Sequence, residues 1–224
     1  MRPYQIAPGT RTQPVQRTRL LDVHNLDTGA AVFLMAQYQN EFEERVRFGP
    51  RTQALPPQSP AAWVANMLNE VAEQAHAESP VRPILVPLPV AALMDENLCT
   101  VCHAVIENTP LCAQEISLEI DDASVTLLGS TLYPTLEQLK RIGFRLSLNA
   151  SRSWSAPLND TLRILLDTLR MDARFLEPDE ELQKRVETAH AAGLTIIADR
   201  AFWRDGPYLS RHGIDYAVQP RCDS

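Results

Sequence analysis

Three sets of residues have types and spacings that could do chemistry. The first is Cys99-Thr-Val-Cys102-His103, which matches the C-x-x-C-H pattern of covalent haem attachment. With Cys112 added, the segment offers three soft sulfur ligands and one imidazole, the donor set of a zinc site. The second set is a series of polar residues, Glu119, Asn149, Asp172, Asp199 and Gln219, each closing a short apolar run, with Pro87 at the equivalent place in an earlier run. Carboxylates and amides gathered from such positions can hold hard cations. They can equally cap strands and hydrogen-bond to one another. The third set is Arg152, Arg170, Arg200 and Arg204 with Trp154, Phe202 and Trp203. Charge-assisted donors beside aromatic faces suit an anionic ligand or a protein partner.

The cysteine signal is the weakest of the three. C-x-x-C-H haem attachment belongs to exported proteins, and the N-terminus lacks an apolar export segment. No second C-x-x-C follows, and Cys112 lies beyond Pro110. Leu98, Val101, Val105 and Ile106 space as the packing face of a helix, so Cys99 and Cys102 are expected to be buried thiols. Neither metal nor cofactor is expected, and reduced cysteines, Cys222 included, fit a cytoplasmic location. His190 and His212 fall on helical stretches away from the polar series and read as structural.

The elements that must position these residues follow from periodicity. Glu115–Asn149 reads as strand, helix, strand: Glu115–Ile120 and Phe144–Asn149 are β-prone, and Leu136, Leu139 and Ile142 recur at helical spacing before Gly143. Such units join parallel strands. Upstream, Leu20–Val23 and Ala30–Ala36 flank Asn25-Leu-Asp-Thr-Gly29, which predicts an antiparallel hairpin. Helices are predicted over Tyr38–Phe48, Pro60–Ala77, Asp95–Asn108, Pro157–Leu169, Pro178–Ala192 and Gly206–His212, and a loop over Arg51–Pro60. Strand starts fall near residues 84, 115, 144, 169, 194 and 215, spacings of about 20–30 residues that each admit one crossover helix. Six parallel strands plus the hairpin make eight, which fits a closed α/β barrel with an antiparallel N-terminal strand better than an open sheet. No Gly-rich phosphate turn follows any strand. In a barrel the polar series lies at the C-terminal strand ends, where working residues sit.

Composition narrows the function classes. The chain has 45% hydrophobic and 22% charged residues, enough for a sizeable core. A net charge of −7 argues against a general nucleic-acid binder, which needs a basic face. No run approaches the roughly 18 apolar residues of a membrane span. Residues 1–19 carry Arg2, Arg11, Arg17 and Arg19 and no acid, and are expected to form an extended basic arm before one domain over 20–224.

The polar series and several fragments resemble the EAL family of cyclic di-GMP phosphodiesterases, over residues 20–220. Asp27-Thr-Gly29 looks like the turn before the signature strand, and Leu118-Glu-Ile120 like the L-E-I-T-E strand. Leu139–Leu148 is similar to the approach to the paired aspartates, Leu169-Arg-Met-Asp172 to the K-I-D strand, and Ala191–Ala198 to the approach to A-E-G-V-E. Arg211-His-Gly-Ile-Asp215 through Gln219 resembles the ending L-G-x-D-x-x-Q-G. The resemblance implies a modified TIM-like (β/α)8 barrel with one antiparallel strand.

It also implies a degenerate site. The signature E-A-L falls on Met35-Ala36-Gln37, so its metal-binding glutamate is Met35, and the substrate-contacting arginine is Gln39. The metal-binding asparagine falls on Pro87, the paired aspartates on Asn149 and Ala150, and the catalytic lysine on Arg170. The glutamates of A-E-G-V-E fall on Asp199 and Phe202. Only Glu119, Asp172 and Gln219 keep the family's residue type. Hydrolysis at neutral pH needs metal-activated water and several oxygen ligands, which Met35, Pro87 and Ala150 do not supply. Arg170 stays protonated and cannot shuttle a proton. The expectation is therefore a catalytically inactive domain with no catalytic residue, working through an unidentified protein partner in motility, biofilm or virulence control, with a homodimer left open. A receptor that binds cyclic di-GMP without hydrolysing it, and an active phosphodiesterase, are the alternatives. Trp154, Phe202 and Trp203 are expected in loops at the mouth, where they fill the space of a nucleotide or stack on a partner.

Overall fold

In the computed structural model, residues 18–38, 59–152 and 154–222 are described. Eight strands close into a barrel in chain order: β1 (Thr18–Asn25), β2 (Ala31–Tyr38), β3 (Ile84–Leu88), β4 (Ile116–Asp121), β5 (Arg145–Ala150), β6 (Thr168–Asp172), β7 (Thr195–Asp199) and β8 (Tyr216–Val218). β1 runs antiparallel to both of its neighbours, β2 and β8, and every other pairing is parallel. The hairpin turn closes as expected, with Asn25 Oδ1 accepting from the backbone of Asp27 and Thr28 and with Gly29 at φ 72°. Among the described residues no helix is long and apolar enough to cross a membrane.

Alternation along each strand divides the side chains between two cores. Leu34, Val86, Leu118, Leu148, Leu169, Ile196 and Ala217 face outward into the layer between barrel and helices. Val23, Leu85 and Ile197, joined by Phe33, Met35, Tyr216 and Val218, form a small apolar plug on the barrel axis. The plug comes from β8, β1, β2, β3 and β7. The inward positions of β4, β5 and β6 include instead Ser117, Glu119, Asp121, Ser147, Asn149, Thr168, Arg170 and Asp172. The interior thus has an apolar sector and a polar one, and the polar one reaches the mouth.

The outer helices differ from the periodicity in instructive ways. α1 (Pro60–Glu78) is capped by Ser59 Oγ and buries Val64, Met67, Leu68 and Val71. Trp63, expected on the same face, is half-buried. The helix expected from Asp95 starts later. A short α2 (Val90–Leu93) precedes an Asx turn in which Asp95 accepts from the Asn97 and Ala61 backbone, and only then does α3 (Leu98–Glu107) begin. The stretch read as one helix before Gly143 is two, α4 (Asp122–Leu128) and α5 (Tyr133–Ile142), broken where Gly129 takes φ 53°. The helix expected to reach Leu169 is α6 (Asp160–Leu165) alone, because Leu169 already belongs to β6. Asp167 breaks the run: its carboxylate takes the Lys140 ammonium at 2.7 and 2.9 Å and the Leu146 N–H at 2.8 Å. α7 (Glu180–Ala191) and α8 (Gly206–Arg211) lie as expected. The helix and loop expected over Tyr38–Phe48 and Arg51–Pro60 fall mostly outside the described residues, as does nearly all of the basic arm. Tyr38 itself closes β2 and Pro60 opens α1.

Candidate functional site

The polar sector ends in one arginine held by two acids. Arg170 projects inward from β6 beside Glu119 of β4 and Asp199 of β7. Its Nε donates to Glu119 Oε2 at 2.8 Å and its Nη2 to Glu119 Oε1 at 2.6 Å, a bidentate fork. Its Nη1 donates to Asp199 Oδ2. Glu119 is 2% exposed and the Arg170 side chain 11%. Burial opposes the charge on Arg170, but the Glu119 and Asp199 carboxylates outweigh it and hold the guanidinium firmly protonated. Burial raises the Asp199 carboxyl above the usual range, and Glu119 adds to that, while Arg170 pulls it back.

Next to this triad lies a second cluster with the opposite make-up. Asp172, the register partner of Asp199, is buried to 1%. Its Oδ1 accepts from Arg174 Nε and from the Arg174 N–H, both at 3.1 Å. Its Oδ2 accepts from Arg174 Nη2 and from Arg200 Nη1, both at 2.9 Å. Burial opposes ionisation of Asp172, and the Arg174 hydrogen bonds and the two guanidinium charges overcome it, so its carboxyl lies below the usual range. Both arginine side chains stay 54% exposed. Arg200 holds a left-handed backbone, φ 57°, which a non-glycine residue adopts only at a cost.

The remaining expected residues divide clearly. Asn149 faces the axis, donates Nδ2 to Asp121 Oδ1 at 2.8 Å, and accepts from the Ser151 backbone and hydroxyl. Met35 is part of the apolar plug. Pro87 sits in β3 opposite Glu119. Gln37 is exposed in β2, opposite Arg19. Gln219, at φ 38°, donates its N–H to Asp22 O just past β8. Gln39 lies outside the described residues. Ala150 does not join the strand-end ring: its side chain turns outward into the layer under the helices, since it follows the inward Asn149. Arg152 is exposed at the start of the loop after β5.

The three aromatics expected at the mouth stand around it rather than in it. Trp154 lies under the Arg185 guanidinium of α7, 5.8 Å from its ring centre, and its carbonyl accepts from Arg185. Trp203 packs edge-on against His24 of β1. Phe202 lies under Arg204 at 4.9 Å, and Arg204 also approaches Asp205 at 3.8 Å.

Three residues of the site escaped sequence reasoning. Arg174 stands two past Asp172, a spacing that lets its side chain fold back on the strand end. Asp121 stands two past Glu119, on the same face of β4; burial and Glu119 raise its carboxyl. Asp122 accepts from the Ser155 and Ala156 backbone at 2.8 and 2.7 Å and ties down the loop after β5. Alternation along β4 was the available signal for Asp121.

The cysteines are as burial dictates. Cys99 and Cys102 are buried in the helix layer, and burial, with Cys99 nearby, pushes the Cys102 thiol up to about 12. Cys112 is exposed and its N–H donates to Glu115. Among the described residues no group of three or more His, Cys, Asp or Glu side chains is placed to hold a metal ion. His212 meets Glu187 at 3.0 Å and stacks edge-on against Tyr208.

Residues 61–200 match the family model described as EAL domain. Among solved structures, the chain is similar to the EAL domain of Mycobacterium smegmatis DcpA, with 18% identity over 91% of this chain and 90% of that one and a TM-score of 0.69. It is also similar to the PaMucR phosphodiesterase in complex with cyclic di-GMP, with 16% identity, 91% and 93% coverage and a TM-score of 0.70. Klebsiella pneumoniae BlrP1, in a complex with manganese and cyclic di-GMP, matches at 14% identity and a TM-score of 0.69, with 94% of this chain covering 56% of that one. At these identities the likeness establishes the fold. No curated protein matches the chain.

Proposed function

Because the chain belongs to the EAL domain family, whose relatives include cyclic di-GMP phosphodiesterases, we propose that it is an inactive member that regulates through protein contacts. The observation that carries this reading is Arg170. Metal-dependent hydrolysis needs carboxylate oxygens free to ligate a divalent cation. Here both Glu119 oxygens and one Asp199 oxygen already accept from a buried guanidinium. The Asn149 oxygen accepts from Ser151. A divalent ion would have to displace a fixed positive charge or sit against it, and like charges in a desolvated site repel strongly. The residues present therefore do not fit a metal centre. Arg170 supplies the cation the acids need, and it cannot give up its proton to act as a base.

The test is turnover of cyclic di-GMP by the purified protein with magnesium or manganese. The expected result is hydrolysis no faster than in a protein-free control. Turnover above that control, abolished by Glu119→Ala, overturns the reading and restores the phosphodiesterase alternative. Tight binding of the dinucleotide without turnover points to the receptor alternative.

A further inference from the structure

We infer that Arg174 and Arg200, held together on Asp172, form a preorganised clamp for a carboxylate of an acidic peptide segment on a partner protein. The inference rests on the reading of the domain as a protein-interaction module and names the chemistry of what it binds. Asp172 needs one counter-charge and has two. Arg174 alone satisfies it through a bidentate fork plus its own backbone N–H. Arg200 adds a single hydrogen bond from Nη1, and it does so from a left-handed backbone. Both guanidinium groups donate to the same oxygen, Asp172 Oδ2, at 2.9 Å, so they lie side by side despite their like charge. The cluster carries a net charge of +1, and both arginines remain half exposed.

Fixing two guanidinium groups in advance removes much of the side-chain ordering cost that a flexible arginine incurs on binding. Paired forks match the planar geometry of a carboxylate. The surrounding surface suits a peptide rather than a free ion. Phe175, 51% exposed, lies 5.5 Å from the Arg174 guanidinium, so an apolar side chain of the ligand has a ring to cover beside the anchoring acid. Arginine with an exposed aromatic is the composition of an interface hot spot. In a chain of net charge −7, a fixed positive site selects acidic ligands against a repelling background.

The probe is a fluorescein-labelled peptide alternating glutamate and leucine, with a lysine–leucine peptide as control. Anisotropy is followed for the wild type, the Arg174→Ala, Arg200→Ala double variant and Arg200→Gly. The last keeps Arg174 on Asp172 and relieves the left-handed backbone, so it preserves the fold if the double variant does not. The expected result is saturable binding of the acidic peptide alone. It weakens at least about tenfold in either variant, or about 1.4 kcal/mol, and weakens further with added salt. Equal affinity for the two peptides, absence of saturation, or unchanged affinity in Arg200→Gly overturns the clamp. Cyclic di-GMP turnover is measured on the same preparations. Turnover sinks the interaction-module reading whatever the peptide does, whereas loss of the peptide result without turnover sinks the clamp alone.

Discussion

The two arginine–carboxylate clusters at the mouth are neighbours with inverted stoichiometry. One places a single guanidinium between two acids and shuts it away from water. The other places a single acid between two guanidinium groups and leaves those groups half in solvent. Glu119 and Asp172 are equally buried, at 2% each, so burial of the acid does not separate the clusters. What separates them is where the cation stands. A buried cation between two acids can do little except hold β4, β6 and β7 together, because all three of its nitrogens already donate to Glu119 or Asp199. An exposed pair anchored from below is rigid and still has a face toward solvent. Charge count alone does not predict whether such a cluster is structural or available for binding.

That contrast can be broken by mutation. The largest expected effect is that of Arg170→Ala, which leaves Glu119 buried without a partner and Asp199 beside it. A loss of about 3–5 kcal/mol of unfolding free energy is expected, measured by urea denaturation. Arg170→Lys should lose less, because the charge survives and only the fork is lost. A second variant, Asp172→Asn, releases Arg174 and Arg200 into water that already reaches them. Its expected cost is on the order of 1–2 kcal/mol, since exposed partners are resolvated. If it matched the loss in Arg170→Ala, the two clusters would be structurally equivalent and the contrast would fail.

Acidity sharpens the comparison further. Asp172 has a lowered folded value, so its contribution is present above the ordinary carboxylate range and is lost as the pH falls through that lowered value. Asp199 has a raised folded value, so its contribution is full below the ordinary range and declines as the pH rises through the raised value. Asp172→Asn should therefore flatten the acid limb of a stability–pH profile, and Asp199→Asn should remove a decline on the other side of the ordinary range. Profiles that moved in the same direction for both variants would contradict the assignment. The smallest effect is expected for Arg200→Gly, where relief of the left-handed backbone offsets loss of a half-exposed ion pair. Its stability should stay within about 1 kcal/mol of wild type.

Much of the frame was legible in the residues. The alternation of Leu118 and Ile120 with Glu119, and the crossover spacing after it, suffice for a barrel with polar strand ends. Helix limits were not, where apolar spacing ran on past a local break. Gly129 interrupts a run that keeps its period, and Leu165, Leu166 and Leu169 continue a helical pattern into β6. The site was partly legible. Arg170 could be read as a residue unable to shuttle protons, but its bridging role depends on partners 51 and 29 positions away in sequence. Spacing cannot reveal that two strands on either side of β6 turn their acids to one point. Arg174 lay outside the series because it stands past the strand end, where only a folded-back side chain brings it into play.

The antiparallel strand β1 has a consequence for how the molecule assembles. β4 to β7 and their crossovers join near neighbours in sequence, so their pairing has a low loop-closure cost. The seam between β1 and β8 joins Val23–Asn25 to Tyr216–Val218, and forming it means bringing together positions separated by nearly the whole chain. Contacts of that kind come late in folding and open early in native fluctuations. Amides of the seam, such as Gln219 bonded to Asp22 and Leu26 bonded to Asp215, are expected to exchange with solvent deuterium before those of β5 and β6. On this ordering, the carboxylates around Arg170 assemble while water still reaches them from the open side. Their dehydration is deferred to the last step, when the chain's distant segments meet and the staves lock.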